Sequence, residues 1–384
     1  MNAYFDNAAT TQLCGAAASA LTEAIKVYAN PSSLHSAGLE AEKLLTASRR
    51  KVAAALGDRG GGTVIFTGCG TEANTLALFG VAYAKASNAG KNIIISDSEH
   101  PSVHENAAEL QKRGFECRTV HTKNGYIDPE ELSSLTDRNT LLVSIMTVNN
   151  ESGALYDIKE LCRAAKEKNP SVIFHTDATQ AFMKTELDVS RLGADLLTVS
   201  AHKIGGPKGV GALYAVNGVI RSHSIVPILR GGGQESGLRS GTENTASVAS
   251  FSAAAEYGAA HFDEDLLHVK EISDIIRAGL EDAGVRINRP ANGIPHIISA
   301  TLPGIKSEVM LHYLSSKGVY VSSGSACSSH HPGVSRPMQA FGLSAREADC
   351  TVRISLFRQN TAEEAALLVD SVAEGVRSLI KMRK

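Results

Sequence analysis

Leu196-Leu197-Thr198-Val199-Ser200-Ala201-His202-Lys203-Ile204-Gly205-Gly206-Pro207 reads as a short apolar strand that runs out into a lysine and a glycine-rich turn. A lysine at an interior strand end, followed by Gly205-Gly206-Pro207, lacks the pattern of a solvated surface lysine. Upstream, Val172-Ile173-Phe174-His175-Thr176-Asp177 ends a second such run on an aspartate. In an open α/β sheet, functional groups gather outside the strand ends, which is where Lys203 and Asp177 both fall.

The same alternation continues on either side. Residues 40–56 read as a helix, Thr63 to Thr67 as a strand, and Gly70 through Ala86 as a helix. Ile93-Ile94-Ile95 is a strand, 104–113 a helix and Glu116 to Val120 a strand. Strands at 141–148 and 172–176 flank a helix at 157–168, and Leu196 to Ser200 and Val210 to Val216 are further strands. Strands alternating with helices of this length imply right-handed crossovers and a mostly parallel sheet, hence an α/β fold. After Gly231-Gly232-Gly233 the character changes. Helices are expected at 243–258 and 264–283, strands at Ile297 to Thr301 and Val352 to Leu356, and a last helix at 361–381 started by Thr361-Ala362-Glu363-Glu364. The expected organisation is an N-terminal segment 1–14, a large domain 15–255 and a smaller α+β C-terminal domain 256–384 that carries Cys327.

The 384 residues, 43% of them hydrophobic, suffice for two cores. With 38 basic and 40 acidic residues the formal net charge is -2, which supports neither nucleic-acid binding nor a polybasic membrane contact. No apolar run reaches membrane-spanning length and no secretory signal is visible, so a cytoplasmic protein is expected. Six scattered cysteines show no disulfide framework and fit a reducing compartment; Cys14, Cys117, Cys162 and Cys350 read as small, buried or half-buried side chains.

A Schiff-base lysine and an acid that keeps a ring nitrogen protonated are the protein parts a pyridoxal 5'-phosphate site needs. Gly70-Thr71-Glu72 follows a strand and opens a helix, so it suits a phosphate, although an ordinary strand-to-helix turn reads the same way. Asp177 alone would equally serve as a helix cap, and Lys203 alone as a surface lysine. Their joint order favours the cofactor. Cys327, in Ser322-Ser323-Gly324-Ser325-Ala326-Cys327-Ser328, adds a nucleophile on a glycine- and serine-rich loop. His100 and His104 lie four apart without a convincing third ligand, so no metal is expected; His330-His331 adds none.

Across almost its whole length the chain resembles the cysteine desulfurases of the class V aminotransferase family, the NifS/IscS/SufS-like enzymes. The resemblance rests on Tyr4 to Thr10, Asn30 to Gly38, Gly70 to Asn74, Glu99-His100, Asn149 to Gly153, Asp177 to Gln180, His202-Lys203, Arg239 to Thr242, Ser323 to Cys327 and Val352 to Leu356. It implies the fold type I of pyridoxal-phosphate transferases, with Lys203 carrying the cofactor, Asp177 facing the pyridine nitrogen and Gln180 the phenolic oxygen. It also implies that His100 stacks on the ring and takes part in proton transfer, and that Thr71, Ser200 and His202 bind phosphate with the Gly70 turn. Thr242 would reach the phosphate of the neighbouring subunit in a homodimer. Asn150 and Arg353 would hold the substrate carboxylate, and Asn7 and Asn30 would lie near the substrate.

The implied reaction converts L-cysteine to L-alanine, with sulfur carried as a persulfide on Cys327 to an acceptor protein such as an iron–sulfur scaffold or a thiolation carrier. A selenocysteine lyase, a dual-substrate lyase and a non-catalytic sulfur-protein scaffold are the alternatives. Three departures from the family pattern are Gly70 for alanine, Ser236 for arginine and Phe357 for glycine.

Overall fold

The computed structural model describes residues 2–84, 91–323 and 335–381. A seven-stranded sheet has the order Gly62–Thr67, Gly211–Val216, Leu196–Ser200, Ile173–Asp177, Thr140–Ser144, Asn92–Ser96, Glu116–Val120. Gly211–Val216 runs antiparallel to both neighbours, and the remaining adjacent pairs are parallel. The central strands Leu196–Ser200, Ile173–Asp177 and Thr140–Ser144 are buried at every position. That burial on both faces is why they read as near-continuous apolar runs rather than as alternating ones.

A four-stranded antiparallel sheet follows, in the order Arg286–Ile287, Ile297–Thr301, Thr351–Ser355, Ser322–Ser323. Phe262–Asp282, Ser307–Ser316 and Ala362–Lys381 supply helices, and Val269, Ile276, Met310, Leu368 and Val372 pack with Ile298 and Ile354 in one core. Ala3 and Phe5 belong to that same core, because Ala3–Tyr4 pairs in parallel with Val319–Tyr320. The N-terminal segment therefore starts in a separate two-stranded ladder on the C-terminal core and crosses toward the large sheet.

Several expectations are met closely. Glu116–Val120, Leu196–Ser200 and Ile297–Thr301 have the expected bounds. The last helix opens on a reciprocal cap: Glu364 N donates to Thr361 Oγ1 at 3.2 Å, and Thr361 N donates to Glu364 Oε2 at 3.1 Å. The strand expected at 141–148 is shorter, Thr140–Ser144. Residues 145–148 leave the ladder but still lean on the next strand: Ile145 N donates to His175 O and Thr147 N to Asp177 O. The apolar run Ile145-Met146 is buried as loop, so periodicity alone overextends the strand.

Candidate active site

Lys203 closes a short 3-10 turn, Ala201–Lys203, directly after the Leu196–Ser200 strand. Gly205 has φ +85°, a conformation costly for residues with a Cβ, and it reverses the chain there. Gly206 sits so close that an added Cβ would lie 2.9 Å from the Ala201 Cβ. The Lys203 amine donates to Ala8 O at 2.6 Å and Ala9 O at 2.7 Å. Thr11 fastens the other side: its Oγ1 donates to His202 O and accepts from Gly205 N. The N-terminal segment thus lies over the lysine.

Asp177 ends its strand and is buried. Its Oδ2 accepts from Asn74 Nδ2 at 2.8 Å, and its Oδ1 accepts from Thr179 N at 2.9 Å. No helix follows Asp177 directly, so its bond from Thr179 N closes a turn rather than capping a helix, and the carboxylate is held in place inside the protein. Two residues earlier, His175 is fully buried between Ser144 Oγ and Thr198 Oγ1, and burial pulls its pKa down to about 4. It stays neutral and donates through one nitrogen only.

His100 caps the Pro101–Lys112 helix: its Nδ1 accepts from Ser102 N at 3.1 Å and lies 2.8 Å from Ser102 Oγ. Asn74 Nδ2 also donates to Ser102 Oγ at 2.8 Å. One amide therefore links Asp177, Ser102 and His100. Accepting at Nδ1 leaves the neutral ring's hydrogen on Nε2. Burial lowers the His100 pKa, opposed by Asp177 and assisted by Lys203.

The Gly70–Ala84 helix starts where Gly211 comes against it; an added Cβ at Gly211 would lie 2.6 Å from the Cys69 carbonyl carbon and 2.8 Å from Gly70 N. Gly70 faces Thr179 and Ser200: its own added Cβ would be 3.3 Å from Thr179 Oγ1 and 3.5 Å from Ser200 Cβ. Ser200 Oγ is buried and has no hydrogen-bond partner among the described residues. An orphan hydroxyl beside a helix N-terminus is the arrangement a phosphate satisfies. Thr71 is exposed at this end. His202 Nδ1 lies 3.2 Å from Thr10 Oγ1, and burial, with Lys203 second, pulls its pKa to about 4. Glu72 takes Gly68 N at 2.7 Å and pairs with Arg239 at 2.7 Å, tethering the loop that leads to exposed Thr242.

Gln180 Nε2 donates to Ala8 O at 2.9 Å, so it meets the same carbonyl as Lys203. Arg353 reaches in from the small sheet: it donates to Asn150 O at 3.0 Å and pairs with Asp6 at 2.9 Å, while its Nε has no hydrogen-bond partner among the described residues. The buried Asn150 Oδ1 is likewise unpartnered among them.

Asn7 is committed to architecture. Its amide donates to Ser355 O at 2.9 Å and Asn360 Oδ1 at 3.1 Å. Asn30 is exposed and closes a local turn through Ser32 N at 2.8 Å. Cys327, expected as the nucleophile, lies outside the described residues. Among the described residues no group of metal-ligating side chains suits an ion, and no helix is long and apolar enough to cross a membrane.

Asn74, Ser102 and the Ala8 and Ala9 carbonyls are site members that sequence reading missed. The Pro101 that starts the helix after His100 was the available signal for Ser102. A carbonyl gives none. An amine, a buried carboxylate, a neutral imidazole and an orphan hydroxyl at a helix start together fit an aromatic cofactor bearing a phosphate.

The aminotransferase class-V family matches residues 3–368 of the chain. Cysteine desulfurase IscS of Dictyoglomus turgidum is 36% identical over 381 residues, covering 98% of this chain and 95% of its own. A solved NifS-like protein superposes with a TM-score of 0.91 at 33% identity, covering 98% of this chain and all of its own. SspA, solved in complex with cysteine, gives 0.82 at 30% identity over 94% of this chain and 100% of its own.

Proposed function

The chain belongs to the aminotransferase class-V family, and on that premise we propose that it is a pyridoxal-phosphate-dependent cysteine desulfurase. It converts L-cysteine to L-alanine and passes sulfur through Cys327 to an acceptor protein, an iron–sulfur scaffold or a thiolation carrier. The observation that carries the reading is the convergence of Lys203, Asp177, His100 and the orphan Ser200 hydroxyl around one set of strand ends.

Pyridoxal phosphate, when bound, supplies an electron sink for the substrate's α-carbon. Lys203 would hold it covalently and Asp177 would hold its ring nitrogen protonated. Ser200, Thr71, His202 and the Gly70 turn would hold its phosphate, and Gln180 its ring oxygen. Thr242, exposed in one chain, would complete the phosphate site of the other subunit in a homodimer. Arg353 and Asn150 bind the carboxylate of L-cysteine, while Asn7 serves the site by fixing the segment that presents Ala8.

The Lys203 amine would take the α-proton of the substrate. His100, with Nδ1 occupied as an acceptor, offers its Nε2 hydrogen and so acts as a donor. The Cys327 thiolate attacks the substrate sulfur. The carbon–sulfur bond breaks with its electrons left on the β-carbon, which takes a proton; the Lys203 ammonium returns a proton to the α-carbon, and alanine leaves behind a Cys327 persulfide. The cytoplasm suits such a thiol, and no disulfide links the described cysteines.

Sulfide and alanine release from L-cysteine, with reductant and pyridoxal phosphate, tests this. Wild type releases both in equal amounts; Cys327→Ala keeps the visible absorbance of the cofactor and releases neither. Turnover by Cys327→Ala would remove the sulfur-acceptor role. Release only from L-selenocysteine would make the enzyme a selenocysteine lyase, and a protein that stays colourless with added cofactor would leave only the scaffold reading.

A further inference from the structure

Lys184 is a fully buried lysine that the proposed chemistry does not use. The residue is 2% exposed, and its hydrogen-bond partner is an amide oxygen rather than a carboxylate: Nζ donates to Gln180 Oε1 at 2.8 Å. Burial, with Lys203 and Arg353 adding positive charge nearby, drives its pKa well below the ordinary lysine value. His202 and His296 also feel its charge. Lysine is rarely buried without an ionic partner, so something other than an ion pair keeps it there.

The backbone delivers it. Met183, immediately before, has φ +57°, a left-handed conformation that is an outlier for a bulky side chain. Met183 packs against the Thr245–Ala260 helix at Gly258, where an added Cβ would come within 3.0 Å of Met183 Cγ. Lys184 N closes the turn onto Ala181 O at 2.9 Å. Strain of this kind persists where the surroundings over-determine it, and it is concentrated at functional sites.

The other end of the Gln180 amide is equally fixed. Nε2 donates to Ala8 O at 2.9 Å, and that carbonyl can only accept. The amide nitrogen must face Ala8, which leaves the oxygen for Lys184, so the orientation of the amide is decided by its two partners. Ala8 O also accepts from Lys203 at 2.6 Å. The row Lys184, Gln180, Ala8 O, Lys203 joins a buried amine to the amine of the site through one oriented amide.

We propose that Lys184 is a positioning residue: it holds Gln180 Oε1 away from the site, so that Gln180 presents an N–H rather than an oxygen at the Lys203 end. This rests on the proposed function, in which Gln180 donates to the anionic ring oxygen of pyridoxal phosphate. Without Lys184 the amide oxygen loses its donor and the amide is held at the Ala8 end alone, so its N–H is less firmly fixed and any turn would set a carbonyl oxygen against an anionic one, which is repelled.

The test is a pH titration of the visible absorbance of enzyme loaded with pyridoxal phosphate. Wild type, Gln180→Ala, Lys184→Met, Lys184→Gln and the Gln180→Ala/Lys184→Met double variant are compared. A lost donor destabilises the more negative, deprotonated chromophore. Gln180→Ala and Lys184→Met should therefore each raise the midpoint by roughly one pH unit. The double variant should match Gln180→Ala alone, since the effect runs through one amide. Lys184→Gln, which keeps a donor, should stay near wild type. A Lys184→Met midpoint at the wild-type value while Gln180→Ala shifts, additive shifts in the double variant, or a Lys184→Met protein that fails to fold where Gln180→Ala folds would each overturn the inference. Wild type that takes up no pyridoxal phosphate, or a Gln180→Ala midpoint that does not move, would instead remove the reading on which it rests, and the inference with it.

Discussion

Glu99, next to His100, has a buried carboxyl: Ser96 Oγ and Met146 N both donate to its Oε1, at 2.5 and 2.8 Å, and its Oε2 has no hydrogen-bond partner among the described residues. Burial raises its pKa to about 8, and Glu151, bonded by Ser335, is raised to about 7 for the same reason. A carboxyl whose pKa is higher folded than unfolded favours folding fully below the unfolded value of about 4.5, and that contribution is lost as pH rises through the folded value. His175 and His202 act oppositely. Their folded values of about 4 lie below 6.5, so they contribute stability that grows between those limits. Above about 6.5 the carboxyl effect is unopposed by these histidines and continues to about 8. Glu99→Gln should therefore flatten the fall in melting temperature between pH 6.5 and 8.5, where one proton contributes at most about 1.4 kcal/mol per pH unit. An unchanged slope in calorimetry would show that Glu99 is ionised in the fold. Such a residue is hard to read in sequence: in Glu99-His100 the histidine carries the chemical signal, and burial of a glutamate is a tertiary fact.

Elements were more legible than their close approaches. Parallel central strands announced themselves as short apolar runs, and the strand ends located Lys203 and Asp177 because the chemistry there breaks the apolar pattern. The antiparallel Gly211–Val216 strand also reads as a strand, but nothing in its composition says that its first residue touches the start of another helix. Asn74 and Ser102 were hidden for the same reason, being ordinary helix residues until the helices are set side by side. Gly211 yields a prediction at this scale. In Gly211→Ala the new Cβ meets backbone atoms of Cys69 and Gly70, which cannot swing aside like a side chain. The helix start, where Gly70 faces Thr179 and Ser200, must then shift. Affinity of apoenzyme for pyridoxal phosphate should drop at least tenfold, about 1.4 kcal/mol, in an absorbance titration. A variant that melts earlier but binds with wild-type affinity would show that the start of the Gly70–Ala84 helix does not hold the phosphate.

At the scale of the molecule, Arg353 is where three parts of the chain are joined. It sits on Thr351–Ser355 in the small sheet, donates to Asn150 O in a loop of the large sheet, and pairs with Asp6 in the N-terminal segment. Its guanidinium side chain is 5% exposed, and its Nε still lacks a hydrogen-bond partner among the described residues. A planar fork with five donors can hold this geometry and a carboxylate as well; a lysine ammonium cannot serve separated acceptors in the same way. Arg353→Lys should raise KM for L-cysteine at least tenfold, a loss of about 1.4 kcal/mol, and lower the melting temperature. Asp6→Asn separates the two duties. It removes the ion pair while leaving the guanidinium, so it should lower the melting temperature with little change in KM. Arg353 is buried while Asp6 is half-buried, so removing the carboxylate leaves a buried guanidinium without its ionic partner, which makes the thermal loss large enough to read. If Arg353→Lys and Asp6→Asn both cost only stability, the arginine is a joint between the sheets and the substrate carboxylate is held elsewhere. If the KM effect belongs to Arg353→Lys alone, the residue that joins the sheets also binds the substrate.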